Sequence, residues 1–160
     1  MSDVPGDFQE QINQLNRQVV QLYRQGQYQQ AITFAEQCRD LARQHLGEDH
    51  PSFATSLNNL AALYESMGNY AAAEPLYQKA MEIRRVALGE DHPDFATSLN
   101  NLAGLYESMG NYAAAEPLFQ KAMEILRVAL GEDHPDFATS LNNLAYLYQQ
   151  MGNYAAAEPL

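Results

Sequence analysis

Acid and imidazole side chains stand together three times in this chain, in the tetrapeptide EDHP at Glu48–Pro51, Glu90–Pro93 and Glu132–Pro135. Both are metal-ligand types, and zinc draws its ligands to within about 2.0–2.3 Å of one ion. The three copies are 42 residues apart. Helical units that pack side by side are separated by about 10 Å, so the copies do not converge on one ion. The tetrapeptide also has an ordinary task. Proline suits the first position of a helix, and Asp49 or His50 can cap the helix that Pro51 opens, with acids near its positive end. No metal site, catalytic residue or cofactor is expected. The one thiol, Cys38, takes the position that Ala80 and Ala122 hold in later copies, so it reads as a small packing residue.

The second group able to carry chemistry is a recurring amide pair: Asn58–Asn59, Asn100–Asn101 and Asn142–Asn143. Asparagine costs roughly half a kcal/mol or more against alanine inside a helix, so adjacent pairs ask for a reason. Each amide offers one acceptor oxygen and two donor hydrogens. Such groups can bond the main chain of a bound segment, or they can bridge neighbouring helices. Both readings stand at this level.

The elements that carry these residues follow from the repeat. The 160 residues divide into an opening stretch of 46, two units of 42 that begin at Gly47 and Gly89, and 30 residues from Gly131. Self-similarity at such a period signals an array rather than a single closed core. Within the unit 47–88, apolar residues recur at Phe53, Leu57, Leu60, Tyr64 and Met67, one face of an α-helix. Gly68 is placed to end that helix in a left-handed conformation, and Asn69 to cap the next. A second stripe follows at Ala73, Leu76, Tyr77, Ala80, Ile83 and Ala87. Pro75, repeated as Pro117 and Pro159, falls inside this second helix and should kink it. The fold class is therefore all-α, an α-solenoid of stacked antiparallel helix pairs.

Composition excludes several partners. Twenty acidic against nine basic residues give a net charge of −11, which repels a nucleic-acid backbone. Charge runs −1, −2, −4 and −4 through residues 1–46, 47–88, 89–130 and 131–160. No apolar stretch approaches the ~18 residues of a membrane span, and the N-terminal residues do not form a secretory signal. A single cysteine makes no internal disulfide, which places the chain by default in the cytoplasm.

Leu57, Leu60, Ala61, Tyr64, Gly68, Tyr70, Ala73, Tyr77 and Ala80 stand at the spacing of the tetratricopeptide repeat (TPR) signature. Leu99, Leu102, Ala103, Tyr106, Gly110, Tyr112, Ala115, Phe119 and Ala122 repeat the set, and Leu141, Leu144, Ala145, Tyr148, Gly152, Tyr154 and Ala157 repeat it again. The 42-residue period resembles the long TPR variant of kinesin light chains and of many bacterial repeat proteins. On that resemblance, residues 1–7 form a tail, 8–46 a degenerate capping repeat with Gln18 in place of a leucine, 47–88 and 89–130 full repeats, and 131–160 a truncated one. The resemblance also implies a right-handed superhelix.

The resemblance implies a concave groove lined by the first helix of each repeat. In this chain that face carries Thr55, Asn58, Asn59, Ala62 and Glu65; then Thr97, Asn100, Asn101, Gly104 and Glu107; then Asn142, Asn143, Tyr146, Gln149 and Gln150. Ser66 belongs to the same stripe. The two full copies differ at four of 42 positions, and the last differs from its predecessor at three of 30. Three variable columns lie on this face, the sharpest being Ala62, Gly104 and Tyr146. TPR domains that clamp a C-terminal carboxylate use Lys and Arg here, whereas only Arg17 and Arg24 of the first copy could serve. The acidic segments that kinesin light chains recognise therefore fit poorly, and a neutral or basic segment suits the charge. The expected function is a non-catalytic protein-interaction module, a piece of a larger scaffold or signalling protein. The alternative is a structural or engineered array that self-stacks through its C-terminal end, where a second helix of seven residues would leave Phe137, Leu141, Leu144 and Tyr148 exposed.

Overall fold

The computed structural model describes residues 5–152. Among the described residues there are seven helices and no strand: α1 Pro5–Arg24, α2 Tyr28–His45, α3 Pro51–Ser66, α4 Tyr70–Leu88, α5 Pro93–Ser108, α6 Tyr112–Leu130 and α7 Pro135–Gln150. The first helix thus begins inside the stretch read as a tail. No described helix is long and apolar enough to cross a membrane.

Local chemistry sets the boundaries. Pro51, Pro93 and Pro135 open their helices, and the preceding histidine caps each one. His50 Nδ1 accepts from the Ser52 amide at 3.0 Å, His92 Nδ1 from Asp94 at 3.0 Å, and His134 Nδ1 from Asp136 at 3.1 Å. Of the two capping candidates the imidazole takes the role, which requires the unprotonated nitrogen to face the helix. Gly68 ends α3 with φ +77. Its amide donates to Glu65 O at 2.9 Å and the Asn69 amide to Tyr64 O at 2.8 Å, a reciprocal closure of the orphan carbonyls. Asn69 Oδ1 then accepts from Ala72 N at 3.3 Å, and Asn111 repeats the cap on Ala114. Pro75 and Pro117 lie inside α4 and α6, which run on through them without a break. Pro159 lies outside the described residues.

The chain divides into two compact units, Met1–Ala87 and Leu88–Leu160. In the first, α2 packs against both α1 and α3. One apolar cluster joins Ile12, Ala42, Phe53, Leu57, Ala80 and Ile83; another joins Val19, Ala31, Ala35, Leu60 and Leu63. In the second unit α6 packs against both α5 and α7, with Ala103, Ala115, Phe119, Leu144, Leu147 and Tyr148 in one cluster. The alanines let helices approach and the large side chains fill what remains. Cys38 is fully buried, its Sγ 3.7 Å from Ile12 O, and burial pushes the thiol up to about 11.

Several side chains depart from the sequence reading. Met67 and Ala87 continue the apolar spacing of their helices yet are exposed, Met67 because it is the residue that ends α3. Of Phe137, Leu141, Leu144 and Tyr148, the residues predicted to stand open to another chain, Leu141 is half-buried and the other three differ from the prediction. They are buried, since α7 turns Leu144 and Tyr148 onto α6 and the Tyr148 hydroxyl bonds Glu116 Oε1 at 3.1 Å and Gln120 Nε2 at 3.0 Å. Residues 154–160, predicted to begin a further helix, lie outside the described residues.

Candidate binding groove

The first helix of each pair presents its polar stripe in two different states. In α3, Asn58 is 7% exposed and Arg84 of α4 is 8% exposed. With the amide oriented by its donors, Asn58 Oδ1 accepts from Arg84 Nη1 at 2.8 Å and Nη2 at 3.1 Å. Nη2 also donates to Thr55 Oγ1 at 3.3 Å. Asn58, expected on a binding face, is therefore an internal tie between two helices, because a buried guanidinium needs acceptors. Its neighbour Asn59 is half-buried and donates to Asn16 Oδ1 of α1 at 3.1 Å.

The second unit lacks this tie. Leu126 of α6 holds the place of Arg84, and it is buried. Asn100 donates through Nδ2 to Ser140 Oγ at 3.4 Å, while its buried Oδ1 has no hydrogen-bond partner among the described residues. Thr97, Asn100, Asn101, Leu126, Asp136, Thr139 and Asn143 line one slot of about 260 Å³ between α5 and α7. Four of these seven are predicted groove residues; Leu126, Asp136 and Thr139 are additions. Thr97 and Thr139 keep their hydroxyls bonded to Pro93 O and Pro135 O, so each oxygen retains a lone pair for a ligand. Asn142, Tyr146, Gln149 and Gln150 are exposed on α7 and do not line the slot; Tyr146 is 53% exposed. A Cβ on Gly104 would meet nothing within 4 Å.

The first unit has its own grooves. Val19, Val20, Tyr23, Asn59, Ala62 and Leu63 enclose about 270 Å³ between α1 and α3, which brings predicted residues Asn59 and Ala62 together. Arg17 and Arg24 line a wider hollow of about 480 Å³ on α1 with Asn16, Val20, Gln21 and Gln25. Glu65 and Glu107 are half-buried, each with one carboxylate oxygen lacking a hydrogen-bond partner among the described residues. Desolvation raises the pKa of both. Ser56, Ser98 and Ser140 are fully buried although nothing in the apolar spacing marks them, and Ser56 donates to Phe53 O at 2.7 Å.

In the EDHP segments the histidines and two of the glutamates make structural contacts. His50, His92 and His134 cap helices, while Glu48 lies 3.9 Å from Lys79 Nζ and Glu90 lies 3.7 Å from Lys121 Nζ. The same lysines lie 5.4 and 5.5 Å from the ring centroids of Phe53 and Phe95.

The tetratricopeptide repeat family model matches three overlapping stretches, residues 12–85, 52–127 and 94–160. The chain belongs to this family. Its fold is similar to that of BtubC (BKLC) from P. vanneervenii, with 25% identity and a TM-score of 0.82 over 92% of this chain and 59% of that one. It is also similar to nearly identical kinesin light chain TPR-like repeats from Podosopora anserina, with 27% identity and a TM-score of 0.81 over 98% of this chain and 72% of that one. A variant of the latter gives 27% identity and a TM-score of 0.80 over the same shares. No curated protein sequence matches. The chain thus spans about three-fifths of BtubC. These neighbours are TPR-like α-solenoids, and TPR repeats are generally protein–protein interaction modules and non-enzymatic scaffolds.

Proposed function

We propose that this chain is a non-catalytic interaction module that holds an extended peptide or protein segment along the first helices of its repeats, within a larger cytoplasmic scaffold or signalling protein. The observation that carries this reading is the slot between α5 and α7. It gathers Thr97, Asn100, Asn101 and Asn143, and the Asn100 Oδ1 beside it has no donor among the described residues. Amides and hydroxyls with spare bonding capacity recognise main chain, which is the one feature all extended segments share. Asp136 at the slot, together with an excess of eleven negative charges over the chain, favours a neutral or basic segment.

The test is titration of the folded chain with neutral, basic and acidic peptides, followed by calorimetry or fluorescence anisotropy. Asn101→Ala and Asn143→Ala should each weaken a bound peptide by about tenfold, the equivalent of one hydrogen bond to a peptide group. Val128→Ser, on an exposed position of α6, should leave binding alone. Unchanged binding in Asn100→Ala, Asn101→Ala and Tyr146→Ala together would remove the groove assignment.

A further inference from the structure

We infer that the slot between α5 and α7 takes an arginine side chain of the bound segment, using the acceptors that the preceding helix pair spends on its own Arg84. The inference rests on the groove reading above and names the chemistry that one part of the groove selects. In the first unit Thr55 Oγ1 and Asn58 Oδ1 are both occupied by the buried guanidinium of Arg84, at 3.3 Å and at 2.8 and 3.1 Å. Thr97 and Asn100 are the same residues one repeat on, but the position of Arg84 is Leu126. The guanidinium is gone and its acceptors remain: Asn100 Oδ1 is buried without a hydrogen-bond partner among the described residues, beside a cavity of about 260 Å³.

The rest of the slot is matched to an arginine arriving from solvent. Leu126 gives the methylene stem an apolar surface. The Asp136 carboxylate lines the same slot, is exposed, and supplies the charge that a guanidinium fork meets in bidentate fashion. The Asn100 amide turns about a broad sp³–sp² torsion, and bringing its oxygen to the slot exchanges the 3.4 Å bond from Nδ2 to Ser140 Oγ for bonds from the guanidinium. An arginine carries five donors in a plane and no acceptor, the complement of a site built from two threonine oxygens, an amide oxygen and a carboxylate. Lysine offers a compact ammonium that reaches fewer of these at once.

The decisive experiment uses the ¹⁵N-labelled chain and two probes, N-acetyl-arginine amide and its neutral isostere N-acetyl-citrulline amide, read from the side-chain amide resonances of Asn100, Asn101 and Asn143. Arginine should give saturable shifts and bind about tenfold tighter than citrulline, with an advantage that falls as salt rises. Leu126→Arg places a guanidinium in the slot from within and should abolish the arginine response, whereas Leu126→Met should keep it. Asp136→Asn changes an exposed residue and should cut arginine affinity about tenfold while weakening citrulline less, because only arginine loses a charge pair. Equal binding of the two probes, or arginine affinity unchanged in Asp136→Asn, overturns the inference even if Leu126→Arg fails to fold. A neutral peptide that depends on Asn101 but ignores Leu126→Arg would keep the groove and remove the arginine slot.

Discussion

Asn58 and Arg84 form a buried pair, the amide oxygen 2.8 and 3.1 Å from two guanidinium nitrogens, both residues less than a tenth exposed. Arg84→Leu copies what the next repeat does naturally and leaves Asn58 Oδ1 without that donor. It should cost about 1–3 kcal/mol, the penalty for a stranded buried acceptor. Replacing both residues by leucine removes the polar pair together, so Asn58→Leu with Arg84→Leu should be less harmful than the sum of the single changes. Urea denaturation of the four proteins measures the coupling. Strict additivity would show that the pair contributes nothing as a pair.

The three capping histidines offer a second prediction. His92 Nδ1 accepts from the Asp94 amide at 3.0 Å, and His134 does the same for Asp136 at 3.1 Å. His92→Ala or His134→Ala removes a helix N-cap and should cost about 1 kcal/mol, while asparagine at either position restores the acceptor and most of the stability. Thermal melts of the alanine and asparagine variants decide it. Alanine and asparagine melting together would mean that the imidazole acts by packing instead.

Much of this architecture can be read from residue types alone, and the reasons for the remainder are specific. Proline at the first turn, glycine at φ +77 and the spacing of Phe53, Leu57 and Leu60 each have one structural solution, so the helix pairs follow from them. The groove was only partly legible. Asn58 and Asn59 look alike in sequence, but whether an amide is spent inside depends on what the next helix brings to it, arginine in one copy and leucine in the other. A signal was present: a column that holds Arg84 in one copy and Leu126 in the next is more plausibly a buried column than a solvated one. Ser56, Ser98 and Ser140 gave no such signal, because a small polar side chain leaves no mark on apolar periodicity even when it is fully buried.

Cys38 is fully buried and its thiol is held at about 11, well above the ordinary thiol range, by desolvation. A thiol that stays protonated and shielded is a poor nucleophile. The native chain should therefore leave a thiol reagent such as 5,5′-dithiobis(2-nitrobenzoate) unreacted for as long as it remains folded, and titrate one equivalent in denaturant. Cys38→Ala should cost no more than about 1–2 kcal/mol, since alanine fills this column in the later copies and only a small cavity results. Rapid reaction of the native protein would show that α1 and α2 open locally.

Glu65 and Glu107 make the last prediction, in which the sign matters. Desolvation raises the pKa of each above its unfolded value, so the folded state binds the proton more tightly and the ionised carboxylate is destabilising. That penalty is absent below the unfolded pKa, grows as pH rises from there to the folded pKa, and is complete above it. Glu65→Gln and Glu107→Gln remove it, and the equivalent residue of α7 is already Gln149. Both variants should melt at a higher temperature than the parent at about pH 7, and the gain should shrink toward zero as pH falls to about 4. A gain that is flat across this range would locate the effect in side-chain packing, and a loss at neutral pH would mean that the two carboxylates serve as acceptors for the folded state.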